Sequence, residues 1–148
     1  MSLEADSRRR YQQVILERSK SLRHRGKTTP IDRYQRGHIP ACGDAIAITL
    51  KFSPDNNQIE DIKFDGYGCA LSMASADLMA DALVGKTFDQ ALELIEQFEA
   101  MMQGEGEFPL EFRKLNILQG IAQAPARIKC AALPWHTLKI ALQSSKSD

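Results

Sequence analysis

Cys42 and Asp44 stand two residues apart across Gly43 in the segment Pro40-Ala41-Cys42-Gly43-Asp44. A thiolate and a carboxylate at that spacing converge on one cation only if the backbone between them bends sharply, and glycine permits the bend without Cβ cost. Two more thiols lie far along the chain: Cys69 follows Gly66-Tyr67-Gly68, and Cys130 closes Arg127-Ile128-Lys129-Cys130. Three thiolates and a carboxylate make a full tetrahedral set for zinc. The competing reading is three lone cysteines acting as small buried hydrophobes, and the chain has no C-x-x-C pair to decide the matter. Local context favours a metal, since each cysteine adjoins a glycine or a basic residue rather than lying inside an apolar run. Cys69 also stands where a strand gives way to a helix, and a helix N-terminus favours an anion such as a thiolate.

The elements that must position these groups follow from periodicity. Ala45 to Phe52 is β-branched and apolar and reads as a strand; Ser53-Pro54-Asp55-Asn56-Asn57 is a turn; Gln58 to Tyr67, with Ile59, Ile62 and Phe64, is a second strand. Together they form an antiparallel hairpin whose open end brings Cys42, Asp44 and Cys69 near one another. A short strand is expected over Ile31–Gln35, before a turn at Gly37. Tyr11, Val14, Ile15 and Leu22 recur at helical spacing and predict a first helix that ends near Gly26.

Leu71, Ala74, Leu78, Met79 and Ala82 define a helix from about Ala70 to Val84, with Gly85 as its C-terminal stop. Thr87 and Gln90 match a capping box for the next helix, whose stripe is Ala91, Leu92, Ile95, Phe98 and Met102. A loop over Gln103–Pro109 and a helical stretch around Leu115–Ile121 come next. Pro125 opens a helix carrying Arg127 and Cys130, and Pro134 is expected to end it and start another through Leu142. Residues 1–6 and 144–148 are expected to be disordered. Trp135 and Met101 read as core or interface, Ser72 and Ser75 as small-residue packing, and His24 and His136 as surface or capping residues. His38, near the ligand turn, is a fifth candidate ligand weighed against an ordinary surface histidine.

A chain of 148 residues, 43% hydrophobic and 26% charged, has the size and balance of one globular domain. No apolar run reaches the roughly 20 residues of a membrane span, and the polar, arginine-rich start lacks a signal-peptide core. The expected setting is the cytoplasm, where an odd set of three cysteines points to metal or thiol chemistry rather than a disulfide framework. The zero net charge hides a division: ten Lys or Arg against two acids from Arg8 to Arg36, and thirteen acids against two lysines from Asp55 to Glu111. With only Tyr11 and Tyr34 in the basic arm there is no base-stacking platform, so it reads as a solvated or protein-docking face and not as a nucleic-acid site.

Taken together, three segments resemble the SufU branch of the IscU-like iron–sulfur assembly family. Pro40-Ala41-Cys42-Gly43-Asp44 is similar to the family's N-P-x-C-G-D turn. Gly66-Tyr67-Gly68-Cys69 with Ser72 to Ala76 is similar to its G-x-G-C…S-x-A-S stretch, and Ala126 to Ala131 with Leu133 and Trp135 to its A-R-x-K-C-A…L-x-W segment. Lys129 before the last cysteine, where the IscU branch carries histidine, and the apparent insertion Met101–Ala124 place the resemblance on the SufU side. The resemblance implies an α+β fold, a small three-stranded antiparallel sheet packed against a layer of about five helices.

It also implies zinc-dependent acceptance of sulfur from a SufS-type cysteine desulfurase, with delivery to downstream assembly components. Cys42 would be the persulfide-accepting thiol, Cys42, Asp44, Cys69 and Cys130 the zinc ligands, and Arg127 the partner of Asp44 when that carboxylate leaves the metal. The alternatives are a scaffold on which a [2Fe–2S] cluster is assembled at the same four ligands, and a structural zinc domain that binds a partner. Two departures fall where a partner would dock: Ile39 replaces the motif's asparagine, and Arg18–Gly26 replaces a stretch like H-Y-K-N-P-R-N-K-G.

Overall fold

Alternating burial along Ile46, Ile48, Leu50 and Phe52 makes the central strand, because side chains of a pleated strand face the helices at every second position. The computed structural model describes residues 3–40 and 43–143. Within them the order is α1 (Leu3–Ser19), β1 (Arg33–Ile39), β2 (Asp44–Phe52), β3 (Ile59–Tyr67), α2 (Ala70–Leu83), α3 (Phe88–Met102), a 3-10 helical run (Leu110–Gln123) and α4 (Pro125–Gln143). The strands form one antiparallel sheet in the order β1-β2-β3, so the described residues comprise a three-stranded sheet with five helical elements, an α+β fold. The hairpin register pairs Ile48 with Phe64 and Leu50 with Ile62, stacking the apolar face of both strands toward α2 and α4. The Ser53–Asn57 turn forms as its composition predicts, with Asn56 at φ 56° and its N–H donating to the Ser53 carbonyl at 2.8 Å.

Three boundaries differ from expectation, each through a tertiary contact. Strand β1 runs straight through Gly37, which pairs with Ile46 instead of turning. Helix α4 crosses β1 at that point, and a Cβ on Gly37 would run into the Thr137 side chain and lie 3.3 Å from Leu133 Cδ1. The glycine is there for close approach. Helix α1 ends at Ser19, not near Gly26, and Leu22 is 79% exposed rather than part of the buried stripe. Residues 24–26 instead join the edge of β3: the Phe64 N–H donates to the His24 carbonyl at 2.8 Å, and the Gly26 N–H to the Phe64 carbonyl at 2.9 Å.

The third difference is Pro134, which lies inside one continuous α4. Proline removes the N–H that would pair with the carbonyl four residues back, here that of Cys130. The Ser72 hydroxyl lies 3.1 Å from that oxygen, within donating reach, while Ser75 Oγ donates to the Ala131 carbonyl at 2.7 Å and accepts from Trp135 Nε1 at 3.0 Å. Both serines thus tie α2 to α4 by specific bonds, which is more than the packing role their size suggests.

Elsewhere the local signals hold. The Thr87–Gln90 capping box forms with both reciprocal bonds, at 3.1 and 3.0 Å. Gly85 follows α2 at φ 89°, a left-handed position that stops the helix. Trp135 is buried core, stacked on Phe98 with ring centroids 4.5 Å apart, and Met101 is buried too. Residues 3–6 are part of α1, while residues 144–148 lie outside the described residues. Part of the basic arm is consumed internally, since Arg18 pairs with Asp77 at 2.9 Å and with Asp81 at 3.4 Å, and Arg23 pairs with Asp81 at 3.1 Å. His24 joins this cluster with its side chain 11% exposed, 3.5 Å from Asp81, so it is not the surface residue its charged neighbours suggested.

Candidate metal centre

The register Ala45↔Tyr67 sets the start of β2 beside the end of β3, and so places Asp44 next to Gly68 and Cys69. The closeness depends on Gly68: a Cβ there would stand 2.9 Å from Asp44 Cγ and 3.0 Å from its Oδ1. Asp44 is only 3% exposed, and a buried carboxylate needs donors. It has them in the first turn of α2. The Cys69 N–H donates to Oδ1 at 3.1 Å, Ser72 Oγ lies 2.6 Å from Oδ2, and the Cys69 thiol lies 3.6 Å from the same oxygen. Cys69 is the N-cap of α2, in extended geometry and with no side-chain capping bond, which leaves its sulfur free of that task at a helix end that favours anions.

The third group comes from the second turn of α4. Cys130 is half-buried, and its sulfur, a carboxylate oxygen of Asp44 and the sulfur of Cys69 all lie within 4.8 Å of one another. Helix capping by itself would explain Asp44, but it does not explain two thiols 61 residues apart meeting over that carboxylate. With metal–sulfur bonds of about 2.3 Å, two ligands of one ion stand no more than about 4.6 Å apart, and a tetrahedral edge is nearer about 3.8 Å. The Cys69–Asp44 distance of 3.6 Å is already an edge of that size. The donor set of two sulfurs and one carboxylate oxygen suits zinc or iron, and a small closure of the Cys130 side completes the fit. Asp44 forms the floor and Cys69, which is exposed, the open rim.

Of the residues singled out from the sequence, Asp44, Cys69 and Cys130 come together. Cys42 lies outside the described residues; it is joined to the floor of the site through Gly43 (φ 75°), whose N–H donates to the Ile39 carbonyl at 3.0 Å. Arg127 is exposed, one turn before Cys130, and its guanidinium lies near the Tyr11 phenol of α1. Burial raises the Tyr11 phenol above its ordinary value, and Arg127 works against that rise. His38 is exposed on β1 and is not among the grouped ligand atoms. The sequence reads Ser72 as small-residue packing and assigns Gly68 no role of its own; the signal available for Ser72 was a pair of serines at i and i+3 on α2.

Comparison with known proteins places the chain in a family. A family model described as the NifU-like N-terminal domain matches residues 10–147. The Streptococcus pyogenes protein named iron–sulfur cluster assembly scaffold protein IscU is 40% identical over 136 residues, covering 91% of this chain and 84% of that protein. The Bacillus subtilis protein named zinc-dependent sulfurtransferase SufU is 39% identical over 140 residues, covering 94% of this chain and 93% of that one. The crystal structure of an iron–sulfur cluster assembly scaffold protein for the SUF system from Fervidobacterium islandicum AW-1 superposes with a TM-score of 0.83 at 34% identity, covering 88% and 95% of the two chains. A match over nearly the whole chain, two relatives near 40% identity and a shared three-stranded fold lead to one statement: this chain belongs to the NifU-like N-terminal domain family, with the IscU and SufU proteins.

Proposed function

We propose that this chain is an iron–sulfur cluster assembly protein that accepts persulfide sulfur on Cys42 from a cysteine desulfurase of the SufS type and hands it to downstream assembly components. The observation that carries the reading is the convergence of Asp44, Cys69 and Cys130, residues from three separate elements, to within 4.8 Å. With Cys42 as fourth ligand these side chains would hold zinc, which when bound keeps coordinated thiols deprotonated at neutral pH. The similarity to a protein named as a zinc-dependent sulfurtransferase supports zinc.

Sulfur acceptance is a thiol exchange. The Cys42 thiolate attacks the terminal sulfur of the desulfurase persulfide, a new S–S bond forms on Cys42, the old one breaks, and the desulfurase cysteine leaves as thiolate. The residues described here serve this step by arrangement. Asp44 is the hard oxygen donor among sulfurs and the group best suited to let go, while Cys69 and Cys130 stay anchored to α2 and α4. Arg127, one turn from Cys130, is proposed to receive the Asp44 carboxylate after it turns away.

The second reading, a scaffold on which a [2Fe–2S] cluster is assembled at the same ligands, is favoured by the scaffold names of the Streptococcus and Fervidobacterium relatives. Lys129, where the resemblance to the IscU branch would place histidine, favours transfer. The setting proposed is the cytoplasm, where thiols stay reduced; no described helix is long and apolar enough to cross a membrane. The test is persulfide trapping after incubation with a cysteine desulfurase and cysteine, combined with elemental analysis. One equivalent of zinc and labelling that disappears in Cys42→Ala are expected; a stable, transferable cluster with no labelling would replace this reading by the second.

A further inference from the structure

Ser72 is fully buried, and its one hydroxyl proton faces three acceptors: Asp44 Oδ2 at 2.6 Å, the Cys130 carbonyl at 3.1 Å and Cys69 Sγ at 3.5 Å. A single O–H donates to one of them at a time. The Cys130 carbonyl is open to it because Pro134, four residues on, has no N–H to give. Ser72 therefore has three alternative acceptors: the carboxylate of one candidate ligand, the sulfur of a second and the backbone carbonyl of a third.

We propose that Ser72 is a positioning residue for the metal centre, holding the Asp44 carboxylate toward the two sulfurs, and that the Cys130 carbonyl freed by Pro134 is its resting acceptor when Asp44 swings away. The inference rests on the metal-site reading above. Its physical basis is the cost of stranding a buried hydroxyl without an acceptor. With Asp44 in place, the short bond to Oδ2 orients the carboxylate and leaves its Oδ1 on the Cys69 N–H. With Asp44 withdrawn, the hydroxyl rotates to the Cys130 carbonyl without moving its own Cα, so no buried donor is left unsatisfied. Ser75, one turn on, makes the matching bond to the Ala131 carbonyl, but its other partner is Trp135 and it has no bond to Asp44. Nature thus supplies an internal control: two serines that both tie α2 to α4, only one of which touches a ligand.

The experiment measures zinc affinity of the full chain by chelator competition, alongside thermal unfolding with and without zinc. Ser72→Ala is expected to weaken zinc about tenfold to a hundredfold, the usual effect of losing a group that orients a ligand. Ser75→Ala is expected to lower the unfolding temperature with zinc affinity within about twofold of the unaltered chain, while Ser72→Thr, which keeps a hydroxyl, restores most of the affinity lost in Ser72→Ala. The cobalt(II)-loaded proteins add a readout that fold stability does not move, since the visible band should shift in Ser72→Ala and not in Ser75→Ala. Pro134→Ala returns an N–H to the Cys130 carbonyl and should slow removal of zinc by the chelator.

Equal zinc affinity in Ser72→Ala and Ser75→Ala, or failure of Ser72→Thr to recover affinity, overturns the positioning role. An unchanged removal rate in Pro134→Ala overturns the resting acceptor. If the unaltered chain binds no zinc, the metal-site reading itself falls and this inference with it, an outcome distinct from a zinc-binding chain indifferent to Ser72.

Discussion

Gly68 and Asp44 touch as only a glycine allows: the place of a Cβ on residue 68 is 2.9 Å from the Asp44 carboxyl carbon. Any side chain at 68 must push the carboxylate off the first turn of α2. Gly68→Ala is therefore expected to weaken zinc binding by about tenfold or more, while the metal-free chain unfolds within a few degrees of the original. Chelator competition and calorimetry on the same samples check it; a large fall in unfolding temperature with unchanged zinc affinity would show that the backbone, not the carboxylate, had yielded.

Asp77 has no exposed side-chain surface; one of its oxygens is held by Arg18 at 2.9 Å and the other has no hydrogen-bond partner among the described residues. Removing the arginine leaves a buried carboxylate uncompensated, so Arg18→Ala should destabilise the chain by on the order of 3 kcal/mol. The paired change Arg18→Met with Asp77→Leu should recover most of that loss. Denaturant titration of the single and double variants decides between this ion pair and simple loss of packing.

The neighbouring Asp81 supplies a pH prediction. Burial pushes its carboxyl up, but Arg23, His24 and Arg18 together hold it below the usual carboxylate range. A depressed folded value means that the stabilisation is present above the unfolded carboxyl value of about 3.9 and is lost as pH falls through it toward the folded value. In the presence of chelator, Asp81→Asn should be less stable than the original at pH 7, and the gap should narrow as the pH falls below about 4. Denaturant midpoints measured across that interval would show the convergence.

Gly37 lies beneath α4, with Thr137 in the path of any Cβ. Gly37→Ala should cost about 1–3 kcal/mol by overpacking, against the small gain that alanine brings to an ordinary strand position. A stabilised variant would mean that α4 can lift away from β1 at no cost, contrary to the packing described.

Arg127 stands with Tyr11, not Asp44. The expected outcome for Arg127→Ala is sulfur acceptance reduced severalfold with zinc affinity unchanged, while Tyr11→Phe, which removes the phenol near the guanidinium, should leave acceptance intact. Trapped persulfide and zinc content, measured together, separate the two effects.

Wherever structure follows from short-range chemistry, the sequence alone was sufficient. The β2–β3 hairpin, the Thr87–Gln90 cap and the Gly85 stop are decided by residues within a few positions of one another. Three thiols and a carboxylate in recognisable surroundings named the candidate ligands. Tertiary structure decided what depends on contacts between distant segments. Gly37 is a strand residue because a helix 100 residues later needs the room, and residues 24–26 are drawn onto β3 by its unpaired edge. Pro134 does not break α4 because the helix is held by its neighbours, and a serine hydroxyl from α2 stands within reach of the carbonyl to which the proline gives no N–H. Local composition carries no record of where a hydroxyl sixty residues away will lie, so the candidate ligands were legible in the sequence and the Ser72 and Gly68 contacts around Asp44 were not.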